Sequence, residues 1–212
     1  IGDVWNGSAW RTILVGGLGA GGRGYYALDV TNPDSPQALW EFSNDLLGGN
    51  SNLGLTFGNP VITKRRDATS PDGFRWVVIF TSGYNNVSPG DGNGRLYIVD
   101  AMTGQRLDEI ATNVSAGVAA GTVAAPSGLA KINNWVESQR DNTTLRVYGG
   151  DIKGNVWRFD IDGLVEPKNA ALRLAYLRGG SPVAAQPITT RPELGSVDSG
   201  GTLLSSSPTI NR

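Results

Sequence analysis

The chain has 212 residues, a formal net charge of −1, 30 glycines, and neither cysteine nor histidine. These counts exclude disulfides, thiolate or imidazole metal ligands and histidine-based catalysis. No basic run marks a nucleic-acid surface, and no apolar stretch is long enough to cross a membrane as a helix.

In chain order, short apolar runs bounded by Gly, Pro, Asn and Asp predict strands. The first run, residues 10–15, passes through Gly16-Gly17 and a glycine-rich turn into Gly24-Tyr25-Tyr26-Ala27-Leu28-Asp29, then through Thr31-Asn32-Pro33 into residues 38–42. The second unit opens around Pro60 and continues with residues 74–80. A long polar loop, 84–93, follows, then Gly94-Arg95-Leu96-Tyr97-Ile98-Val99-Asp100, a Thr103-Gly104 turn and residues 107–110. The third unit has its proline at Pro126, then residues 145–148, a short turn, Gly154-Asn155-Val156-Trp157-Arg158-Phe159-Asp160, Asp162-Gly163 and residues 172–177. A fourth unit begins around Pro187.

Aligned on the closing Asp, the repeated phrase carries an aromatic three residues back (Tyr26, Tyr97, Trp157) and a large apolar residue one back (Leu28, Val99, Phe159). Its period of about 60–70 residues and four strands per unit predict a β-propeller, with longer loops than the smallest propeller blades carry. The fold expected is therefore all-β: four-stranded antiparallel, quinoprotein-like blades in a partial set of three to four. The blades fall at about 10–43, 55–111, 119–177 and an incomplete 183–212, all in one domain spanning 1–212. The first blade is expected to lack its first strand. Ile1-Gly2-Asp3 and Pro208-Thr209-Ile210 read as interrupted strands of a larger propeller. A β-sandwich is the competing architecture, but it need not repeat one motif in register.

Candidate chemistry is sparse. Gly17-Leu18-Gly19-Ala20-Gly21-Gly22 leads into a strand rather than a helix, which excludes a dinucleotide loop. Asp29, Asp100 and Asp160 each end an equivalent strand in a different blade, and are expected to accept turn N–H groups rather than to catalyse. No nucleophile–base pair is visible, so no catalytic residue and no cofactor is assigned. The loop 84–93, with Tyr84, Asn85, Asn86, Asp91 and Asn93, is the main candidate for binding, and Trp135 is added from the segment 133–142. That segment is expected to be the loop between the first and second strands of the third blade. It is rich in side-chain oxygens but lacks the ligand spacing of a calcium loop.

Several phrases together resemble the C-terminal propeller of the PilC/PilY family of type IV pilus proteins. They are Tyr25-Tyr26-Ala27-Leu28-Asp29, Thr56-Phe57-Gly58-Asn59-Pro60, Ser82-Gly83-Tyr84-Asn85-Asn86, Tyr148-Gly149-Gly150-Asp151-Ile152-Lys153-Gly154-Asn155, and Gln186-Pro187-Ile188-Thr189-Thr190-Arg191. The resemblance implies a non-enzymatic, exported protein of the pilus tip, outer membrane or cell surface that promotes pilus assembly, adhesion and twitching motility. Its implied partners are minor pilins or a pilus tip complex, and a host or abiotic surface. Some members carry a calcium loop in this propeller. Here the corresponding region retains only Asn133, Asn134 and Asp141 as candidate ligands. The competing functions are a quinone-dependent dehydrogenase, whose vicinal cysteine pair is missing, and a scaffold for outer-membrane protein assembly.

Overall fold

The computed structural model describes residues 1–44, 52–136, 138, 140–180, 182–196, 198–199 and 202–203. Three four-stranded antiparallel meanders account for most of them. The first sheet runs β1 (Gly2–Trp5), β2 (Trp10–Gly17), β3 (Gly24–Asp29) and β4 (Gln37–Ser43). The second runs β5 (Val61–Arg66), β6 (Phe74–Thr81), β7 (Arg95–Asp100) and β8 (Arg106–Ala111). A small hairpin, β9 (Asn113–Ser115) with β10 (Val118–Ala119), precedes the third sheet. That sheet comprises β11 (Ile132–Val136), β12 (Thr144–Gly150), β13 (Asn155–Asp160) and β14 (Ala171–Tyr176). Two-residue pairs β15/β16 (Arg178–Gly179, Ala184–Ala185) and β17/β18 (Asp198–Ser199, Thr202–Leu203) close the order.

The repeated phrase is the third strand of each sheet, as its spacing predicts. Its aromatics differ in cover according to which face has a neighbour. Side chains alternate faces along a strand, so a strand buried on both faces must lie between two other layers. Leu96, Tyr97, Ile98 and Val99 of β7 are all fully buried. Tyr97 and Val99 pack with Phe80, Tyr25, Ala27 and Phe42 in one core shared with the first sheet. Leu96 and Ile98 pack with Ile79, Val147, Trp157 and Phe159 in a second core shared with the third sheet. The middle sheet thus separates two cores. Each fully buried aliphatic or aromatic side chain contributes roughly 1.5–3 kcal/mol. Arg158 lies on the face of β13 turned away from the second core, between buried Trp157 and Phe159.

Two strand expectations need correction. The first sheet does have a first strand: all four residues of β1 pair with β2, Trp5 opposite Trp10 across an Asn6-Gly7 turn. Only Val4 of β1 is buried, so the strand has too little apolar alternation to stand out. In the third sheet the first strand is Ile132–Val136, not the segment around Pro126. Residues 122–125 form a tight turn instead, with Thr122 and Ala125 exchanging N–H···O bonds of 3.1 and 3.0 Å. Asn133, Asn134 and Trp135 are consequently strand residues rather than loop residues. The closing residues 208–210 lie outside the described residues.

One irregularity recurs in all three sheets. Between the third and fourth strands the register slips by one residue: Ala27 faces Trp40 but Leu28 faces Ala38. Likewise Ile98 faces Asp108 but Val99 faces Arg106, and Val156 faces Ala175 but Trp157 faces Arg173. The skipped residue of the outer strand is a leucine each time: Leu39, Leu107 and Leu174. Leu39 and Leu107 pack against the cores, whereas Leu174 is exposed. One extra residue in one strand is a β-bulge, which bends that strand and sharpens its twist.

Candidate functional site

The meander topology gives the array two rims. Turns between second and third strands emerge on one rim, and turns between first and second or third and fourth strands on the other. The β6–β7 loop lies on the first rim. Tyr84 is held by its backbone, donating to Leu55 O at 3.0 Å and accepting from Leu55 N–H at 2.7 Å. Its ring packs on Phe57 with centroids 5.6 Å apart. Asn85 is exposed with φ of 55°, a left-handed conformation that asparagine tolerates better than most residues. The exposed Asp91 takes a two-pronged contact from Arg95, both N–O distances being 2.7 Å, which holds its carboxyl below the usual range. Arg95 also pairs with Glu109 at 2.6 Å.

Two of the candidate binding residues are buried. Asn86 is fully covered and donates to Asn93 O at 2.7 Å. The Asn93 side-chain oxygen accepts from Thr112 Oγ1 and from the N–H groups of Ala120 and Gly121, at 3.0, 3.1 and 3.2 Å. Its amide nitrogen donates to Asn113 at 3.3 Å. Asn93 therefore ties the loop to the strand leading into the next blade. Tyr84, Asn85 and Asp91 remain at the surface, and Trp135 sits near the far end of β11, on the opposite rim.

A side-chain hydroxyl stitches the rim at the first two blade junctions. The Thr56 hydroxyl accepts from Leu18 N–H at 2.8 Å and donates to Gly24 O at 2.9 Å. Ser127 does the same for the next junction, accepting from Gly94 N–H at 2.7 Å and lying 3.5 Å from Gly92 O. At the third turn a fully buried Asp151 gathers the donors instead. Its carboxylate accepts from Lys153 N–H, Asn155 N–H, the Asn155 amide and the Trp157 indole N–H, at 3.0, 2.9, 2.8 and 2.9 Å. Sequence reasoning missed Asp151, and the Asp-x-x-x-Asn-x-Trp spacing is the signal that could have found it.

The three phrase-ending aspartates serve their own turns. Asp29 accepts from Thr31 N–H at 2.9 Å, and Asp100 from Met102 and Thr103 N–H at 3.0 Å each. Asp160 accepts from Gly163, Val165 and Asn169 N–H at 2.9, 3.1 and 2.8 Å. Beside it, burial pushes the Asp162 carboxyl up, with Arg146 3.1 Å away opposing that shift.

The candidate calcium ligands do not converge. Asn133 and Asn134 are adjacent in β11, so their side chains leave opposite faces. The Asn133 amide donates to Pro192 O at 3.0 Å, and the Asn134 amide to Thr144 Oγ1 at 2.7 Å. Asp141 is paired with Lys64 at 2.8 Å, which holds its carboxyl low. Among the described residues, no group of three or more Asp or Glu side chains gathers in a way that could hold a metal ion. Glu137 and Gln139 lie outside the described residues. The described donors do not fit a calcium loop.

Stacked four-stranded meanders with buried middle strands define a β-propeller array. A family model described as the PilY1 beta-propeller domain matches residues 1–212, and the chain belongs to that family. It is 30% identical over 215 residues to the type IV pilus biogenesis factor PilY1 of Pseudomonas aeruginosa strain PAK, covering 92% of this chain and 17% of that protein. A PilY1 homolog of Xylella fastidiosa is 33% identical over 179 residues, covering 84% of this chain and 13% of that one. The crystal structure of the Pseudomonas aeruginosa PilY1 C-terminal domain superposes with a TM-score of 0.71 at 30% identity, covering 91% of this chain and 39% of that domain. The chain thus spans less than a fifth of the length of these curated relatives.

Proposed function

We propose that this chain is part of a non-enzymatic factor for type IV pilus assembly and adhesion, exported to the pilus tip or cell surface. The propeller acts as a rigid support that presents its rims to minor pilins and to external surfaces. The observation that carries this reading is the match of the whole chain to the PilY1 propeller, whose named relatives are pilus biogenesis factors. The site geometry is consistent with it. The aspartates that could have suggested acid–base chemistry are engaged by their own turns, and the rim asparagines by blade junctions. Deleting the encoding gene is expected to remove surface pili and twitching; normal piliation and motility in the deletion strain would sink the proposal.

The proposed function does not rest on calcium, since among the described residues Asn133, Asn134 and Asp141 do not converge and are bonded elsewhere. Titrating the full-length protein with calcium while following tryptophan fluorescence should leave Asp141→Asn indistinguishable from the parent. A saturable response that this substitution abolishes would restore the site.

A further inference from the structure

Five places in the sequence set a glycine directly after asparagine or aspartate: Asn6-Gly7, Asp72-Gly73, Asp91-Gly92, Asn93-Gly94 and Asp162-Gly163. At such a step the glycine nitrogen can close on the preceding side-chain carbonyl carbon, because no Cβ crowds its approach. The fold ties that nitrogen down at four of the five. Gly73 N–H donates to Ser70 O at 3.0 Å and Gly92 N–H to Asn86 O at 3.0 Å. Gly94 N–H donates to Ser127 Oγ at 2.7 Å and Gly163 N–H to Asp160 Oδ2 at 2.9 Å. Gly7 N–H has no partner among the described residues.

The Asn6 carboxamide is set up for that attack. Its oxygen accepts from Ser8 N–H and Ser8 Oγ at 3.0 Å each and from Ala9 N–H at 2.9 Å. As a nitrogen adds to Cγ, negative charge grows on that oxygen, where three donors already in place stabilise it as an oxyanion hole does. Asn6, Gly7 and Ser8 are all exposed, and nothing lies within 4 Å of the point where a Cβ on Gly7 would sit. The turn therefore has room to bring the nitrogen onto Cγ. Asn93 is the internal contrast. Its oxygen also has three donors, but it is 3% exposed, and the space at Gly94 is closed by Thr112 Oγ1, Leu129 and Ser127. The openness at Asn6 belongs to the place of its turn in the blade. The matching β5–β6 turn, in a blade with neighbours on both sides, likewise leaves Ala68, Thr69, Pro71 and Asp72 exposed.

We infer that Asn6 is a site of spontaneous deamidation, a one-way modification that makes a neutral turn acidic. The Gly7 nitrogen bonds to Asn6 Cγ and the Cγ–Nδ2 bond breaks. Nδ2 leaves as ammonia, carrying the proton that the Gly7 nitrogen gives up. Water, the only co-reactant, then opens the cyclic imide. Opening at Cγ yields aspartate; opening at the main-chain carbonyl yields isoaspartate. Either product puts a new carboxylate on the rim, where Asn6 shares a cleft with Asp72 and Asp100. Isoaspartate also adds one carbon to the main chain between Trp5 and Trp10, whose rings meet edge to face 5.8 Å apart. The inference stands apart from the pilus reading and needs nothing from it.

The test holds purified full-length protein at mildly alkaline pH and follows its tryptic peptides by mass spectrometry. The peptide ending at Arg11 should gain the mass difference between an amide and an acid at Asn6, and split into aspartate and isoaspartate forms. Asn6 should convert at least about tenfold faster than Asn93. In urea the fold is gone and two Asn-Gly steps remain, so the two rates should come within about threefold of each other. Asn6→Gln should remove the conversion and keep the parent's unfolding transition. A smaller preference for Asn6 in the folded protein overturns the inference. So does a preference that urea leaves in place, because it would then lie in the sequence and not in the structure. Piliation of the deletion strain bears on the pilus reading alone.

Discussion

The two rims of this array use similar residue types to opposite ends. On the rim of the β6–β7 and β12–β13 turns, the polar groups are turned inward: Asn93 and Asp151 are buried and multiply bonded, Asn93 to the segment leading into the next blade and Asp151 within its own turn. On the other rim, Trp5, Trp10, Asn6 and Asp72 are exposed, and the hydrogen bonds of Asn6 and Asp72 stay within their own turns. A polar, variable-looking loop is therefore not by itself a binding surface. What distinguishes the two rims is burial: one closes over its polar groups and the other leaves them to solvent.

That contrast can be broken most directly at Asp151. Asp151→Ala leaves the Trp157 indole and the Asn155 amide without acceptors in a closed site, and should lower the unfolding free energy by about 3 kcal/mol. Urea denaturation measures this, and a near-neutral result would show that the carboxylate does not hold the turn together. Asn93→Ala should cost about 2 kcal/mol by the same assay, because three donors lose one shared acceptor.

Across on the open rim, effects should be smaller. Asp67 accepts from the Thr69 hydroxyl and N–H at 2.6 and 2.9 Å, and then from Arg75, which together lower its carboxyl to about 2. A carboxyl with a depressed folded value stabilises above its ordinary unfolded value, and the gain is lost as pH falls through the folded one. Stability should thus drop by on the order of 1 kcal/mol between about pH 4 and pH 2, after allowance for solvent screening, and Asp67→Asn should flatten that slope. Trp5→Ala should cost the least, below about 1 kcal/mol, because it removes one exposed edge-to-face contact. A large loss at Trp5 would mean that the indole pair holds the first hairpin together.

Much of the architecture was legible because the third strand carries its own marker: a glycine, an aromatic, an apolar residue and a turn-forming aspartate in fixed order. Sequence reasoning failed where a strand is defined by its partner. β1 has one buried residue, and its evidence is the cross-strand pairing of Trp5 with Trp10. β11 begins with Ile132 and then two asparagines, whose polarity reads as loop until pairing with Tyr148 and Val147 shows them in a sheet. The candidate site was less legible. Asn86 and Asn93 look like surface groups in a polar loop, and only the fold reveals that both are buried and that Asn93 bonds β9 and the residues just after β10. Likewise Trp10 and Trp76 are far apart in the chain and meet only when two blades stack.

The leucine skipped in each outer strand has a consequence for what can grow on this molecule. An outer strand in perfect register would offer a straight row of unpaired N–H and C=O groups, ready to template another chain. Leu39, Leu107 and Leu174 each insert one residue that puts the fourth strand out of step with the third, and so twist that margin. A protein whose regular structure among the described residues is all strand carries in those three residues its own guard against edge-to-edge pairing.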